Sequence, residues 1–251
     1  MSSAPILSAR NLTKTFHNGV VAVAGVTLDL LRGETLGIVG ESGSGKSTTI
    51  RLILGLEKPD EGQVFLKGDD FSQRSAARER VFRRTVQFVP QSPQNSFNPR
   101  MTLEASMHFA LAPHLRSSQA RRERIAHLWE RVGLPKMHLE KHPHELSGGQ
   151  LQRAAIARAL GPNPEILVCD EAVSALDKSV QAQVLNLLAE LQEELDLSML
   201  FISHDMAVIE HMSDQVMVMF GGKVVECGPV AQIYTEPSEP YTQQLLASIL
   251  R

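Results

Sequence analysis

Cysteine is almost missing from this chain: 251 residues contain only Cys169 and Cys227, too few for a disulfide framework or a four-thiolate metal cluster. A reducing cytoplasm suits such a composition. No apolar run approaches the roughly 20 residues of a membrane-spanning helix, so any role at a membrane is expected to run through a partner. The opening MSSAPILSAR lacks the basic stretch and long apolar run of a secretory signal. Positive charge is not in excess either. A formal net charge of -3 and a pI near 6.3 remove the general electrostatic case for nucleic acid as a partner. The nine histidines are scattered, and His142 and His144 flank a proline without the cysteine or carboxylate pattern of a zinc site, so no metal is expected there. With no internal repeat or long low-complexity linker, one domain of two lobes is expected rather than independent domains.

What is present suits a globular protein with a substantial core, 43% hydrophobic and 21% charged. The start reads as β-rich, with Ile6–Leu12 and the alternating Val26-Thr27-Leu28-Asp29-Leu30 as strands with one buried face. Four short runs, Leu36–Val39, Val86–Val89, Ile166–Cys169 and Met199–Ile202, are apolar on both faces and separated by helical patterns, as in the buried parallel strands of an α/β core. Each is followed by a polar residue or loop, and ligands of such sheets bind beyond the carboxyl ends of the strands. From about Pro93 to Leu160 the character turns helical, at Leu103–Leu111, Ser118–Val132 and Gln150–Leu160. Arg78, Arg80, Arg83, Arg84, Arg121, Arg122 and Arg124 read as solvated helix faces. Val216–Phe220 and Lys223–Glu226 read as strands, and Tyr241–Leu250 as an amphipathic terminal helix.

Three constellations carry chemistry. Gly40-Glu41-Ser42-Gly43-Ser44-Gly45-Lys46-Ser47 fits G-x-x-x-x-G-K-[ST] between a buried strand and the helical segment Thr48–Leu54, the context a phosphate-binding loop requires. Glycines let backbone N–H groups turn towards phosphates, the helix N-terminus favours negative charge, Lys46 reaches the β/γ-phosphates and Ser47 ligates magnesium. A chance match in this length arises on the order of one time in a hundred, so a nucleoside triphosphate is indicated and little more. Ile166–Cys169 delivers two carboxylates, Asp170 to hold magnesium and Glu171 to orient or deprotonate the attacking water. Adjacent acids after a strand also stabilise a helix N-terminus, and only the loop upstream favours catalysis. Leu146-Ser147-Gly148-Gly149-Gln150 opens the helix Leu151–Leu160, as a second anion site or as an ordinary serine cap. That pentapeptide arises by chance on the order of once in several thousand such chains.

On these residues the chain resembles the ATP-binding subunits of ATP-binding-cassette transporters over nearly its whole length. The resemblance implies an α/β fold: a P-loop NTPase (RecA-like) core with an N-terminal antiparallel β subdomain and an inserted α-helical subdomain. Residues 1–92 and 161–251 would form the core lobe and residues 93–160 the helical lobe. It further implies a dimer in which each ATP lies between one subunit's Gly40–Thr48 and the Ser147, Gly148, Gly149 and Gln150 of the other. Gln91 matches the family's glutamine that reaches magnesium and water. Ser174, Ala175, Leu176 and Asp177 match its interface loop, and His204 the histidine on the γ-phosphate. Phe16 stands where the family places an aromatic on adenine, although a phenylalanine ending a strand is commonly core. Magnesium would be held by Ser47, Gln91 and Asp170.

Ser92–Thr102, Gly148–Arg153, Asp170–Asp177 and Glu236–Thr242 resemble the oligopeptide, dipeptide and nickel importers. The implied partners are a second ATPase subunit, identical or related, two transmembrane permease subunits and, indirectly, an extracytoplasmic solute-binding protein. The implied location is peripheral, on the cytoplasmic face of the membrane. Many peptide-system subunits carry a cysteine-containing tail that this chain lacks, so no iron–sulfur cluster is expected. The short length keeps a nickel or metal-chelate system open. The rival reading is a soluble cassette ATPase such as the accessory ATPase of carbon–phosphorus lyase. A small-molecule kinase would leave the pentapeptide and His204 unexplained.

Overall fold

A computed structural model describes residues 4–73 and 75–247. In chain order it contains β1 (Leu7–Thr15), β2 (Val21–Leu30), β3 (Thr35–Val39), α1 (Lys46–Leu54), β4 (Glu61–Leu66), β5 (Asp69–Asp70), α2 (Ala76–Thr85) and β6 (Val86–Val89). Then follow α3 (Leu103–Leu111), α4 (Ser118–Arg131), α5 (Gly148–Leu160), β7 (Ile166–Asp170), α6 (Lys178–Leu195), β8 (Ser198–Ile202), α7 (Met206–Met212), β9 (Gln215–Phe220), β10 (Lys223–Pro229), α8 (Val230–Thr235) and α9 (Pro240–Ala247). The chain divides into two compact units, residues 1–82 with 196–251, and residues 83–195.

In the first unit β1 pairs antiparallel with β2 and β4, and β5 lies against β4. Val26, Leu28 and Leu30 are buried while Thr27 and Asp29 are exposed, the period-two pattern of a strand with one wet face. β3 is different. It runs parallel to β8 and β9, and every residue of β3 and β8 is buried. A strand covered on both faces has no place for polar alternation, which is why these segments read as continuous apolar runs. The register Ile38↔Ile202 brings the ends of β3 and β8 to one edge, so the loops after Val39 and after Ile202 emerge side by side.

The second unit holds the parallel pair β6 and β7, in the register Val86↔Ile166 to Val89↔Cys169. Of the helices in this unit, α5 is buried on nearly every side, whereas α4 has a single apolar face. α4 buries Ile125, Leu128 and Trp129, and the indole Nε1–H of Trp129 donates to the Pro135 carbonyl at 3.0 Å. Cys169 is fully buried on β7, and burial, with a smaller contribution from the Asp170 charge, pushes its thiol up to about 12. It stays protonated and inert.

Arg78, Arg80, Arg83, Arg84 and Arg122 are exposed, as a solvated helix face requires. Arg121 and Arg124 depart from that expectation: Arg121 is half-buried and donates to the carbonyls of Leu115 at 2.6 Å and Arg116 at 3.1 Å, and Arg124 is half-buried and donates to the carbonyls of Leu160 at 2.9 Å and Gly161 at 3.3 Å. The Arg124 fork satisfies carbonyls at the end of α5 that have no helical partner. The expected terminal helix is α9 up to Ala247, and positions 248–250 lie outside the described residues. No helix among the described residues is long and apolar enough to cross a membrane.

Candidate nucleotide site

In the first unit, β3 ends at Val39 and the backbone turns immediately, with φ of 147° at Gly40, 82° at Gly43 and 104° at Gly45. A Cβ on Gly40 would lie 2.1 Å from the Met219 carbonyl oxygen, so space as well as conformation demands glycine there. Nothing approaches a Cβ at Gly43 within 4 Å, and only its dihedral requires glycine. Gly45 is the N-cap of α1 and provides no side-chain cap, so the first turn of this helix presents backbone N–H groups suited to an anion. Lys46 is 5% exposed, and its Nζ donates to the carbonyls of Gly40 at 2.7 Å and Glu41 at 2.8 Å. The ammonium is thus held inside the loop, its charge solvated by the loop's own dipoles. Glu41, Ser42 and Gly43 are exposed, Ser44 is buried, and Ser47 and Thr48 are half-buried.

Phe16 closes a tight turn, its carbonyl accepting from the Gly19 N–H, and at 37% exposure it is not a core residue. His204 is exposed, two residues beyond β8 and therefore at the edge where the phosphate loop emerges. A cavity of about 550 Å³ is lined by Arg10, Arg32, Phe65 and Lys67 among others and includes none of these motif residues.

In the second unit, the parallel pairing of β6 and β7 carries Gln91 and the two carboxylates to one edge. There the Gln91 Nε2 donates to a carboxylate oxygen of Glu171 at 2.7 Å and lies 3.4 Å from the Ser174 Oγ. The Ser174 hydroxyl donates to the Glu171 carbonyl at 3.0 Å. Glu171 has φ of 48°, an uncommon left-handed conformation for a residue with a side chain, and Ser174 closes the turn that holds it. Asp177 accepts from the Val180 N–H at 2.9 Å and the Ser179 hydroxyl at 2.7 Å. Those bonds, the backbone one first, hold its carboxyl below the usual range and make it a start signal for α6. Ala175 is exposed and Leu176 half-buried between them.

The pentapeptide is a reciprocal cap. Ser147 Oγ accepts from the Gln150 N–H at 3.3 Å, and the Gln150 side-chain oxygen accepts from the Ser147 N–H at 3.1 Å. The plain serine cap is therefore real, and it leaves Ser147 and Gly148 exposed at the N-terminus of α5. Gly149 has a separate reason: a Cβ there would lie 2.2 Å from Val180 Cγ1 on α6, whereas one on Gly148 would meet Leu176 at an ordinary 3.5 Å. Spacing alone does not separate the two glycines, whereas the apolar periodicity of α6 is a sequence signal for a facing helix. Gly149→Ala should destabilise the fold by about 1–3 kcal/mol through overpacking, and Gly148→Ala should leave stability level or slightly raised. Thermal midpoints of both variants check this, and equal midpoints would contradict it.

By donor chemistry, the oxygen atoms of Ser47 in the first unit and of Asp170 and Gln91 in the second are each of the hard kind that suits magnesium. His142 and His144 stack at 5.6 Å, with His142 Nδ1 3.3 Å from Glu145, and no cluster of three His, Cys, Asp or Glu suited to a metal occurs among the described residues.

The family model described as ABC transporter matches residues 23–174. The oligopeptide transport ATP-binding protein AppF of Bacillus subtilis is 50% identical over 92% of this chain and 70% of its own length. The dipeptide transport ATP-binding protein DppF of Haemophilus influenzae is 43% identical over 98% of this chain and 79% of its own length. The glutathione import ATP-binding protein GsiA of Salmonella paratyphi A is 45% identical, but the chain spans only 41% of it. Among solved structures, cbiO1 of Clostridium perfringens, part of the ABC transporter complex cbiONQ, superposes with a TM-score of 0.84 at 27% identity, over 93% of this chain and 92% of that one. The cassette MJ0796, a dimer in a post-hydrolysis state with ADP and Pi, gives 0.81 at 30% identity, over 89% of this chain and 98% of that one.

Proposed function

The chain belongs to the ABC transporter family, and from that premise we propose that it is the ATP-hydrolysing subunit of an importer for di- or oligopeptides, working as a dimer bound to membrane permeases. One observation supports the dimer: two motif-bearing helix N-termini lie in different units, α1 behind Gly45 with no side-chain cap, and α5 behind Ser147, whose own cap leaves Ser147 and Gly148 exposed. In this reading they serve different ATP molecules, each shared with a second cassette. The names of the relatives, which refer to oligopeptide, dipeptide and glutathione transport, support peptides as cargo and disfavour an ATPase unconnected with transport.

Hydrolysis then follows from the side chains. Lys46 and the N–H groups of the loop hold the β- and γ-phosphates as a preorganised cationic cradle. Glu171 accepts a proton from the water that attacks the γ-phosphorus, giving ADP and phosphate. Gln91, bonded to Glu171, keeps that carboxylate in place and links it to the segment Ser92–Thr102, which we assign to the permease contact. His204 faces the γ-phosphate. Magnesium, held by Ser47, Asp170 and Gln91, would neutralise developing phosphate charge. Cargo need not touch the chain at all.

The test is to purify the tagged chain with its membrane partners and identify them. Two permeases, a related ATPase and peptide uptake that stops without ATP are expected. Recovery with soluble enzymes alone would overturn the importer reading.

A further inference from the structure

We propose that Tyr241 is a positioning residue of the phosphate loop, through which the C-terminal segment sets affinity for ATP. The proposal rests on the assignment of Gly40–Ser47 as the ATP site. Tyr241 is the second residue of α9, and its hydroxyl oxygen accepts a hydrogen bond from the backbone N–H of Glu41 at 3.0 Å, a link across 200 positions of sequence. Its ring rests on Phe220, the last residue of β9, with centroids 4.4 Å apart. β9 is the parallel neighbour of β3, in the register Val39↔Val218, and the Met219 carbonyl is what blocks a side chain at Gly40. The first two residues of the loop are therefore wedged between the end of β9 and the phenol.

The segment that carries Tyr241 is itself pinned. The Glu226 carboxylate on β10 accepts the Ser238 N–H at 2.8 Å, the Ser238 hydroxyl at 2.7 Å and the Glu239 N–H at 3.3 Å. Gln243 closes the same turn by donating to the Pro237 carbonyl at 2.9 Å. These contacts give the stretch Glu236–Thr242 a physical task. Three glycines at positive φ make the loop deformable, and two holds oppose that: Lys46 from within, and Tyr241 from outside. A loop already fixed in shape loses less freedom when it closes on phosphates, so the outer hold favours binding.

Tyr241→Phe keeps the ring on Phe220 and deletes only the hydroxyl. A net backbone hydrogen bond corresponds to roughly a threefold to tenfold change in an equilibrium constant. In the purified full chain with magnesium, the Kd for a non-hydrolysable ATP analogue should rise by about that factor. KM for ATP should rise in parallel, with kcat within about twofold of wild type. Amide exchange across residues 40–45 should quicken, with the thermal midpoint unchanged. Glu226→Gln should shift affinity in the same direction, because it loosens the pinned turn. A purely structural tyrosine would show the opposite pattern, with Phe behaving as wild type and only Tyr241→Ala impaired, and that result would overturn the proposal. Lys46→Ala in the same assay tests the premise separately: if it binds the analogue as wild type does, the loop is not the site and the proposal falls with it.

Discussion

Glu171→Gln is expected to lower ATP turnover by about 10²–10⁴-fold while leaving ATP binding intact and trapping an ATP-bound dimer. The side chains are nearly isosteric, so the loop has no reason to rearrange. The left-handed φ of 48° belongs to the backbone, and the turn that secures it is closed by Ser174 bonding the Glu171 carbonyl, neither of which depends on the carboxylate. Gln91 finds an amide oxygen in place of the carboxylate oxygen it now donates to at 2.7 Å, so the pair can persist. What the amide lacks is a basic lone pair near neutral pH, so a water proton has nowhere to go. Steady-state phosphate release and equilibrium binding of labelled ATP, measured on the same preparation, separate the two effects. Turnover within a few-fold of wild type would remove Glu171 as the base. Loss of binding would show instead that the substitution had damaged the phosphate site.

The parts of this molecule that sequence made legible are those where one local requirement settles the residue. β3, β7 and β8 coincide with three of the four apolar runs, because strands buried on both faces leave no place for polar alternation, and β6 coincides with the fourth while leaving Gln87 and Phe88 half-buried. The phosphate loop was visible because its glycines and Lys46 answer to backbone conformation and to the adjacent helix terminus. Other features depend on what lies opposite in space. Gly149 is glycine because Val180 presses on it from α6, a helix whose buried Val184, Leu187, Leu188 and Leu191 have the helical spacing of an apolar face. Arg124 is in sequence one more charge on a helix, and only its place beside the end of α5 gives it carbonyls to bond. Asp177, read only as an interface residue, also caps α6, a task its position ahead of an apolar periodicity could have announced. The bond from Glu41 to Tyr241 had no local signature, since a single tyrosine in a polar tail is compatible with many placements.

Ser147→Arg is expected to abolish the ATP-dependent dimer while sparing ATP binding to the single chain. Two consequences of the substitution have to be kept apart. Within the chain, arginine removes the hydroxyl that caps Gln150, a loss of about 1 kcal/mol, and sets a positive charge against the positive end of the α5 dipole. The position is exposed, so the longer side chain meets no core, and a fall of about 2–4 °C per kcal/mol in the thermal midpoint is the whole intramolecular effect. Between chains, a surface that must close over another subunit's nucleotide acquires a bulky guanidinium where a small hydroxyl stood. Displacing it would require desolvating a charge in a tightly packed contact, far beyond the loss of a cap. Ser147→Ala supplies the comparison, because it loses the cap without adding bulk or charge. Sedimentation with ATP and magnesium, each variant carried on a Glu171→Gln background, gives the readout. Glu171→Gln with Ser147→Ala should still dimerise, if more weakly, whereas Glu171→Gln with Ser147→Arg should remain a monomer that binds the analogue with wild-type affinity. A dimer of normal stability in the arginine variant would mean that α5 does not face a partner's nucleotide, and that the shared-site reading fails even if Glu171 proves to be the base.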